Sequence, residues 1–256
     1  MGARTSHPHG TPSYVDLGTA DVDKAAAFYS SLFGWQVQDL GPDAGGYRQA
    51  ALDGRVVAGL GPAMDPGPPR WTTYMTVDDA DKTAALVREH GGMVFVEPMD
   101  VLTAGRMAVF ADPSGAAFSV WQARDSIGSE LVNVPGSLCW NELNSRALDD
   151  VLGFYAAVFG WTYDGTPADG YVQFKVGDRT VGGMLPMGAE MPADVPNHWM
   201  AYFAVASHDD AVAAVRSLGG SVMAEAVAAE GVGTFSVVAD DQGATFCVIE
   251  LLHADD

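Results

Sequence analysis

Carboxylates at matching positions in the two halves of the sequence are the first residues that could do chemistry. Asp16 follows Tyr14 by two residues, and Glu142 follows Trp140 by two residues. Because side chains alternate along a strand, each carboxylate would share a face with its aromatic neighbour. A carboxylate in a partly apolar site has a raised pKa and can act as a general base or bind a hydrogen-bond donor. The alternative is a structural role, in an internal salt bridge or a hydrogen bond to a backbone amine.

Three further side chains are candidates by residue type. Arg106 begins a predicted strand and could receive an anionic ligand group, or pair with a surface carboxylate. His198 could serve as an acid or base near neutral pH, or bond to its own loop at a rim. Cys247 could be a nucleophile or a soft zinc ligand, but the sequence places no base or further thiolate beside it.

The elements that must position these residues occur in two copies. Residues 27–35 (AFYSSLFGW) match residues 153–161 (GFYAAVFGW) at an offset of 126, and residues 71–77 match residues 199–205 at an offset of 128. An offset this constant over half the chain indicates two homologous domains. We predict a flexible tail at 1–10, a first domain at 11–122, a linker at 123–135 and a second domain at 136–256. His7 and His9 lie in that tail and are discounted as a ligand pair.

Each predicted domain divides into two halves with the same order of elements. In the first domain, strands are predicted at 13–18, 35–40, 47–52, 55–61, 71–77, 93–97, 106–111 and 116–122, and helices at 21–33 and 80–90. The sequence therefore predicts an α+β fold of four tandem βαβββ units. Each antiparallel-rich sheet would bury one face against its helices and leave the other free to curl into a cup.

This order of elements, with FYxxxFGW closing the first helix of each domain and a DPxG turn before the last strand, resembles the vicinal oxygen chelate superfamily. That superfamily includes glyoxalases, bleomycin-resistance proteins and extradiol dioxygenases. The resemblance covers residues 12–122 and 136–251. With Trp121-Gln122 after the last strand, the chain looks most like the two-domain glyoxalase-like "hydroxylase" and antigen type.

In metal-dependent members, the resemblance implies up to four His, Gln or Glu ligands per domain. The corresponding positions are Tyr14, Gly59, Thr72 and Ser119 in the first domain and Trp140, Gly183, Met200 and Cys247 in the second. None of these residues is His, Glu, Gln or Asp, and such a set cannot hold a hard divalent cation. We therefore predict no metal and no other cofactor, with a divalent metal as the minority alternative.

The same alignment places aromatic and small polar residues in both cups. They are Thr72, Tyr74, Ser119 and Trp121 in the first, and Met200, Tyr202, Cys247 and Ile249 in the second. Such a lining suits a planar small molecule, although an ordinary sheet core has a similar composition.

Three functions follow from these features. The first is metal-free binding of a small, aromatic molecule in a cup, as bleomycin-resistance relatives bind their drug. The second is a metal-independent isomerase, hydratase, hydroxylase or cyclase in which Asp16 or Glu142 moves a proton. The third is a metal-dependent lyase or dioxygenase. We favour binding, because the sequence supplies no complete set of acid, base and oxyanion stabiliser.

Charge and hydropathy restrict the partners. The formal net charge is −20, from 33 acidic and 13 basic residues, which disfavours nucleic acid and anionic membranes. No apolar run approaches the roughly 18–20 residues of a membrane span. We therefore expect a cytoplasmic protein with a small-molecule ligand. A monomer or a homodimer is compatible with the sequence, because a tandem chain can pair its own domains.

Overall fold

The computed structural model describes residues 2–64, 66–189 and 191–252 and confirms the predicted α+β fold of four βαβββ units. The first domain contains β1 (Pro12–Thr19), α1 (Val22–Phe33), β2 (Gln36–Asp39), β3 (Arg48–Leu52), β4 (Arg55–Pro62), β5 (Arg70–Thr76), α2 (Ala80–Glu89), β6 (Met93–Val101), β7 (Gly105–Ala111) and β8 (Ala117–Ala123). The second contains β9 (Leu138–Ser145), α3 (Leu148–Phe159), β10 (Thr162–Asp164), β11 (Val172–Val176), β12 (Arg179–Pro186), β13 (His198–Ala204), α4 (His208–Ser217), β14 (Ser221–Ala229), β15 (Gly233–Ala239) and β16 (Thr245–Leu251). None of the helices within these described ranges has the length and apolar character needed to cross a membrane.

Each domain forms one eight-stranded sheet. The strand order is β2-β3-β4-β1-β5-β8-β7-β6 in the first and β10-β11-β12-β9-β13-β16-β15-β14 in the second. The opening strand of each domain pairs in parallel with the last strand of the first unit and antiparallel with the first strand of the second unit. Residues on these opening strands therefore lie near the middle of each sheet.

Local signals in the sequence fix the ends of the helices. The side chain of Asp21 caps α1 by accepting from the Lys24 amide, and Gly34 ends it with a left-handed φ of 75°. Gly160 ends α3 in the same way with a φ of 71°. Glycine reaches this conformation without the steric cost that other residues incur. The FGW in each repeat is thus the end of a helix followed by a turn.

The two domains share their hydrophobic cores. One core joins Phe28 and Phe33 of the first domain to Phe203 and Phe246 of the second. The other joins the second half of the first domain to α3 and its neighbours. The helix-bearing faces of the two sheets therefore pack towards each other, and their opposite faces point outwards. We call these outward faces the first cup and the second cup.

Buried tyrosines in the repeated FY motif connect the domains. Tyr29 donates to Asp240 at 3.0 Å, and Tyr155 donates to Asp112 at 2.9 Å. Each aspartate also accepts backbone amides of its own turn through its other oxygen. The tyrosine of the FY motif in each domain thus bonds the turn aspartate of the other domain, and this interdomain contact occurs twice.

Residues of the predicted N-terminal tail contact the rest of the chain. Ala3 bridges to Leu131 in the predicted linker, and the His7 ring contacts the Ser129 carbonyl oxygen at 2.7 Å. The indole of Trp161 donates to the carbonyl of Gly10 at 2.8 Å. A buried indole N–H needs an acceptor, and this segment supplies it. In the first domain, the start of the predicted second domain does the same, since Trp35 donates to the Gly136 carbonyl.

Strand β6 also runs further than the predicted 93–97, because it continues to Val101. The ladder to β7 shifts register twice, between Val94 and Val96 and between Val96 and Met99. Pro98 lies in the second shift, on the edge strand of the sheet. Proline is tolerated there because it has no amide to contribute to a ladder.

Candidate functional site

The first cup contains a carboxylate held by two phenols. Asp16, in the middle of β1, accepts from Tyr74 at 2.8 Å and from Tyr47 at 3.3 Å, both through Oδ2. The hydroxyls of Tyr47 and Tyr14 lie 3.1 Å apart. Tyr14 and Tyr74 pack with Trp121 in a small cluster that is separate from the two main cores. The cup thus presents one partly exposed carboxylate in an aromatic surround.

The second cup repeats this arrangement. Glu142 accepts from Tyr171 at 2.9 Å through Oε2 and from Tyr202 at 3.0 Å through Oε1. The indole of Trp140 donates to the Tyr171 hydroxyl at 2.9 Å, where Tyr14 contacts Tyr47 in the first cup. Among the described residues, no cation pairs with either carboxylate and no backbone amide donates to it, which are the contacts that the structural alternative predicts. In both domains, two tyrosine hydroxyls donate to the carboxylate instead.

Tyr47 and Tyr171 are functional-site residues that the sequence reasoning missed. Each lies just before the third strand of its domain, and both occur in the same local pattern, GYRQ in the first repeat and GYVQ in the second. That shared pattern was the available signal. The two tyrosines occupy the space that a side chain at Gly59 or Gly183 would need. A Cβ at Gly59 would lie 1.8 Å from the Tyr47 hydroxyl, and a Cβ at Gly183 would lie 2.0 Å from the Tyr171 hydroxyl.

The environment of each carboxylate favours its protonated form. Burial raises the pKa of Asp16 from 3.8 to about 6, and the hydrogen bonds from Tyr74 and Tyr47 oppose this increase. Burial also raises the pKa of Glu142 against the hydrogen bonds from Tyr171, Tyr202 and Asn144. Desolvation is therefore the larger effect in both cups. Asp16 titrates close to neutral pH.

The phenols and the thiol beside these carboxylates stay protonated. Burial raises the pKa of Tyr47 and of Tyr74, and neighbouring charge raises both further. Burial and the Glu142 charge raise the pKa of Cys247 well above its usual range, and its side chain is fully buried. The phenols therefore act as hydrogen-bond donors. A protonated, inaccessible thiol is a poor nucleophile.

The other predicted residues divide between the cups and the surface. Thr72 on β5 is the β-ladder partner of Asp16 on β1. Ser119 on β8 is the β-ladder partner of Tyr74 on β5. In the second cup, Met200, Tyr202, Cys247 and Ile249 form a buried cluster with Trp140 against it.

The structure does not place Arg106 or His198 next to Asp16 or Glu142. Arg106 makes a two-pronged ion pair with Asp81 on α2 and a further contact with Asp100, on the helix side of the sheet. Arg106 thus makes the pairing with surface carboxylates that the sequence offered as the alternative, while its neighbour Met107, on the opposite face of the strand, packs against the first-cup cluster. The His198 ring contacts the Pro196 carbonyl oxygen at 2.8 Å, and burial lowers its pKa.

The donor set of the cups does not fit a divalent cation. Each cup offers one carboxylate, and the oxygens next to it belong to protonated phenols, which are weak metal ligands. At the glycine positions of the lost ligands, the tyrosine rings fill the space. The described part of the chain contains no group of three or more His, Cys, Asp and Glu side chains close enough to hold a metal ion. Divalent metals need several such oxygen or nitrogen ligands.

Comparison with known families agrees with this architecture. The family described as "Glyoxalase/Bleomycin resistance protein/Dioxygenase superfamily" matches residues 11–120, and the family "Glyoxalase-like domain" matches residues 141–249. The chain belongs to the glyoxalase superfamily. Both of its domains carry the family fold, each with a phenol-bound carboxylate in its cup.

Relatives of this glyoxalase-superfamily chain match over nearly its full length. "Putative glyoxylase CFP32" of Mycobacterium tuberculosis (strain CDC 1551 / Oshkosh) is 43% identical, over 98% of each chain. "Anthracycline biosynthesis protein DnrV" of Streptomyces peucetius is 39% identical, over 94% of each chain.

Solved structures share the fold at low sequence identity. A Mn(II)-bound glyoxalase from Novosphingobium aromaticivorans has a TM-score of 0.64 at 20% identity, covering 100% of this chain and 85% of its own. The 2,3-dioxygenase LapB from Pseudomonas sp. KL28 has a TM-score of 0.65 at 15% identity, covering 97% of this chain and 95% of its own. At this identity the likeness concerns the fold alone.

Proposed function

We propose that this protein binds a small aromatic molecule in a cup, without a metal, through the phenol-bound carboxylate. The observation that carries the proposal is the Asp16 site, in which a partly exposed carboxylate lies among Tyr14, Tyr74 and Trp121. Aromatic side chains offer stacking surface to a planar ring, and a few fixed polar groups orient it. The relation to an anthracycline biosynthesis protein supports an aromatic ligand, since anthracyclines are fused-ring aromatic compounds.

The hydrogen bonds of Asp16 support a role in recognition. Both phenols donate to Oδ2, so Oδ1 is available to a donor on the ligand. The phenols also fix the orientation of the carboxylate before the ligand arrives, which reduces the ordering cost of binding. A hydroxyl or an amine on the ligand would complete the site.

Proton transfer is the second candidate, and the pKa of Asp16 favours it. A carboxyl group with a pKa of about 6 is close to the operating pH, where a general acid or base is most effective. Such a group could shuttle a proton in an isomerisation, hydration or cyclisation. A metal-dependent lyase or dioxygenase reaction is disfavoured by the donor set of the cups.

Thermal unfolding with a panel of hydroxylated aromatic compounds tests the binding proposal. A ligand at a hundredfold excess over its Kd stabilises the native protein by about 2.7 kcal/mol, which corresponds to about 5 to 10 °C in Tm at this chain length. We expect Asp16→Asn to abolish most of this shift. The proposal is refuted if no such compound shifts Tm, or if the purified protein holds about one tightly bound transition metal per domain by elemental mass spectrometry.

A further inference from the structure

The two cups differ in the number of hydrogen bonds that their carboxylate oxygens accept. In the second cup, Glu142 receives donors on both oxygens, from Tyr171 at Oε2 and from Tyr202 at Oε1, and Asn144 adds a third donor at Oε1 at 3.3 Å. Its exposed fraction is 6%. In the first cup, both donors of Asp16 contact the same oxygen, Oδ2, and Asp16 as a residue is partly exposed. Both oxygens of Glu142 thus accept a hydrogen bond, whereas the donors of the described residues leave Oδ1 of Asp16 without one.

The residue two positions after each carboxylate adds to this difference. Asn144 lies two residues after Glu142 on the same face of β9, and the matching residue on β1 is Gly18, two residues after Asp16. The buried amide of Asn144 covers its carboxylate, whereas Gly18 has no side chain to do so. A Cβ at Gly18 would meet its nearest neighbour, Ala63, at 3.5 Å, which is ordinary van der Waals contact. A Cβ at position 18 is therefore accommodated without a clash.

We propose that the first cup is the ligand site, that the second cup is its closed structural copy, and that Gly18 keeps the first cup open. This inference rests on the proposed binding function and narrows it to one site per chain. It also narrows the ligand class to an aromatic compound that carries a hydrogen-bond donor and no negative charge. Such a donor can bond Oδ1 of Asp16, as the Asn144 amide donates to Glu142.

The chemistry around Asp16 disfavours anionic ligands. The hydrogen-bond partners of Asp16 are uncharged phenols, so an anionic ligand would bring a second negative charge next to the carboxylate without compensation. Like charges at this distance oppose each other. The chain as a whole carries a formal net charge of −20, which acts in the same direction.

Isothermal titration calorimetry with three matched probes tests this assignment. The probes are alpha-naphthol, its methyl ether and alpha-naphthoate, which differ in whether they donate a hydrogen bond and whether they carry charge. We expect the wild-type protein to bind naphthol at one site per chain, and to bind the ether and the naphthoate at least about tenfold more weakly, the cost of a lost charge-assisted hydrogen bond.

Substitution at the register position is the decisive step. Gly18→Asn should supply the missing amide to Asp16 and weaken naphthol binding at least about tenfold. The backbone of Gly18 has no left-handed φ, so asparagine is sterically permitted. Gly153→Asn is the matched control, because Gly153 is exposed on α3 with open space around it, and we expect it to bind naphthol as the wild type does.

Each outcome discriminates between the two proposals. Wild-type protein that binds none of the probes counts against the binding function itself. Two equivalent sites per chain, or a single site that Gly18→Asn leaves intact, overturn the assignment to the first cup while the binding function stands. If Gly18→Asn does not fold by circular dichroism, Asp16→Asn replaces it, and unchanged naphthol affinity in that variant overturns the assignment in the same way.

Discussion

The pH dependence of stability in Asp16→Asn gives the sharpest test of the first cup. The carboxyl of Asp16 has a pKa of about 6 in the native protein, against an ordinary value of 3.8. Below pH 3.8 the group is protonated in both the folded and unfolded chains and makes no difference. Above pH 6 it is ionised in both, and the native state carries the cost of a desolvated charge.

The magnitude follows from the difference between the two pKa values. Each pKa unit corresponds to about 1.4 kcal/mol, so the full difference amounts to about 3 kcal/mol. Asp16 is partly exposed as a residue, so the full difference is discounted for solvent screening to about 2 to 3 kcal/mol. Between pH 4 and 6 the folded chain binds more protons than the unfolded chain, so its stability falls as pH rises.

Urea unfolding of wild type and Asp16→Asn at several pH values from 4 to 8 measures this effect. The asparagine cannot ionise, so the free energy of unfolding of the wild type should fall relative to the variant by about 2 to 3 kcal/mol from pH 4 to 7. Above pH 7 the difference should be constant. Other groups, including Glu142, whose pKa is also raised, titrate in both proteins and cancel. A difference that does not change with pH would show that Asp16 is not desolvated.

Two further predictions concern packing. Tyr155→Phe removes the donor to the buried Asp112 and the acceptor of the Trp199 indole, so we expect a loss of about 1 to 3 kcal/mol in the free energy of unfolding; an unchanged urea midpoint would contradict the interdomain contact. Gly59→Ala would place a methyl group 1.8 Å from the Tyr47 hydroxyl and should destabilise the chain. If Tyr47 causes that cost, the double variant Gly59→Ala/Tyr47→Ala should be more stable than the sum of the single effects by about 0.5 to 3 kcal/mol in a double-mutant cycle.

Residue types alone cannot show which of the two cups binds a ligand, because the two domains are repeats. The sequence places a carboxylate at the same position in both domains, and strand alternation assigns each to a face. Aspartate in one repeat and glutamate in the other look equivalent at that level. Their partners make them different, since Asn144 covers Glu142 and Gly18 leaves Asp16 open.

The sequence by itself determined the elements and their order. Alternation with period two, helical spacing, the Asp21 cap and the glycines at 34 and 160 act over a few residues, so they can be recognised without a structure. The constant offset between the repeats then fixed the number of domains. These local signals predicted the four βαβββ units that the structure confirms.

Only the tertiary structure decided what surrounds each carboxylate. Tyr47 reaches Asp16 from just before β3, which lies two places from β1 in the sheet, and the Tyr155 phenol has its acceptor in the other domain. The Arg106 guanidinium pairs with Asp81 on α2, so its side chain lies outside the first cup. Such contacts join residues that are distant in sequence, and their existence depends on strand order, register and domain packing together. Residue spacing along the chain does not contain that information, because it describes neighbours in sequence and a site consists of neighbours in space.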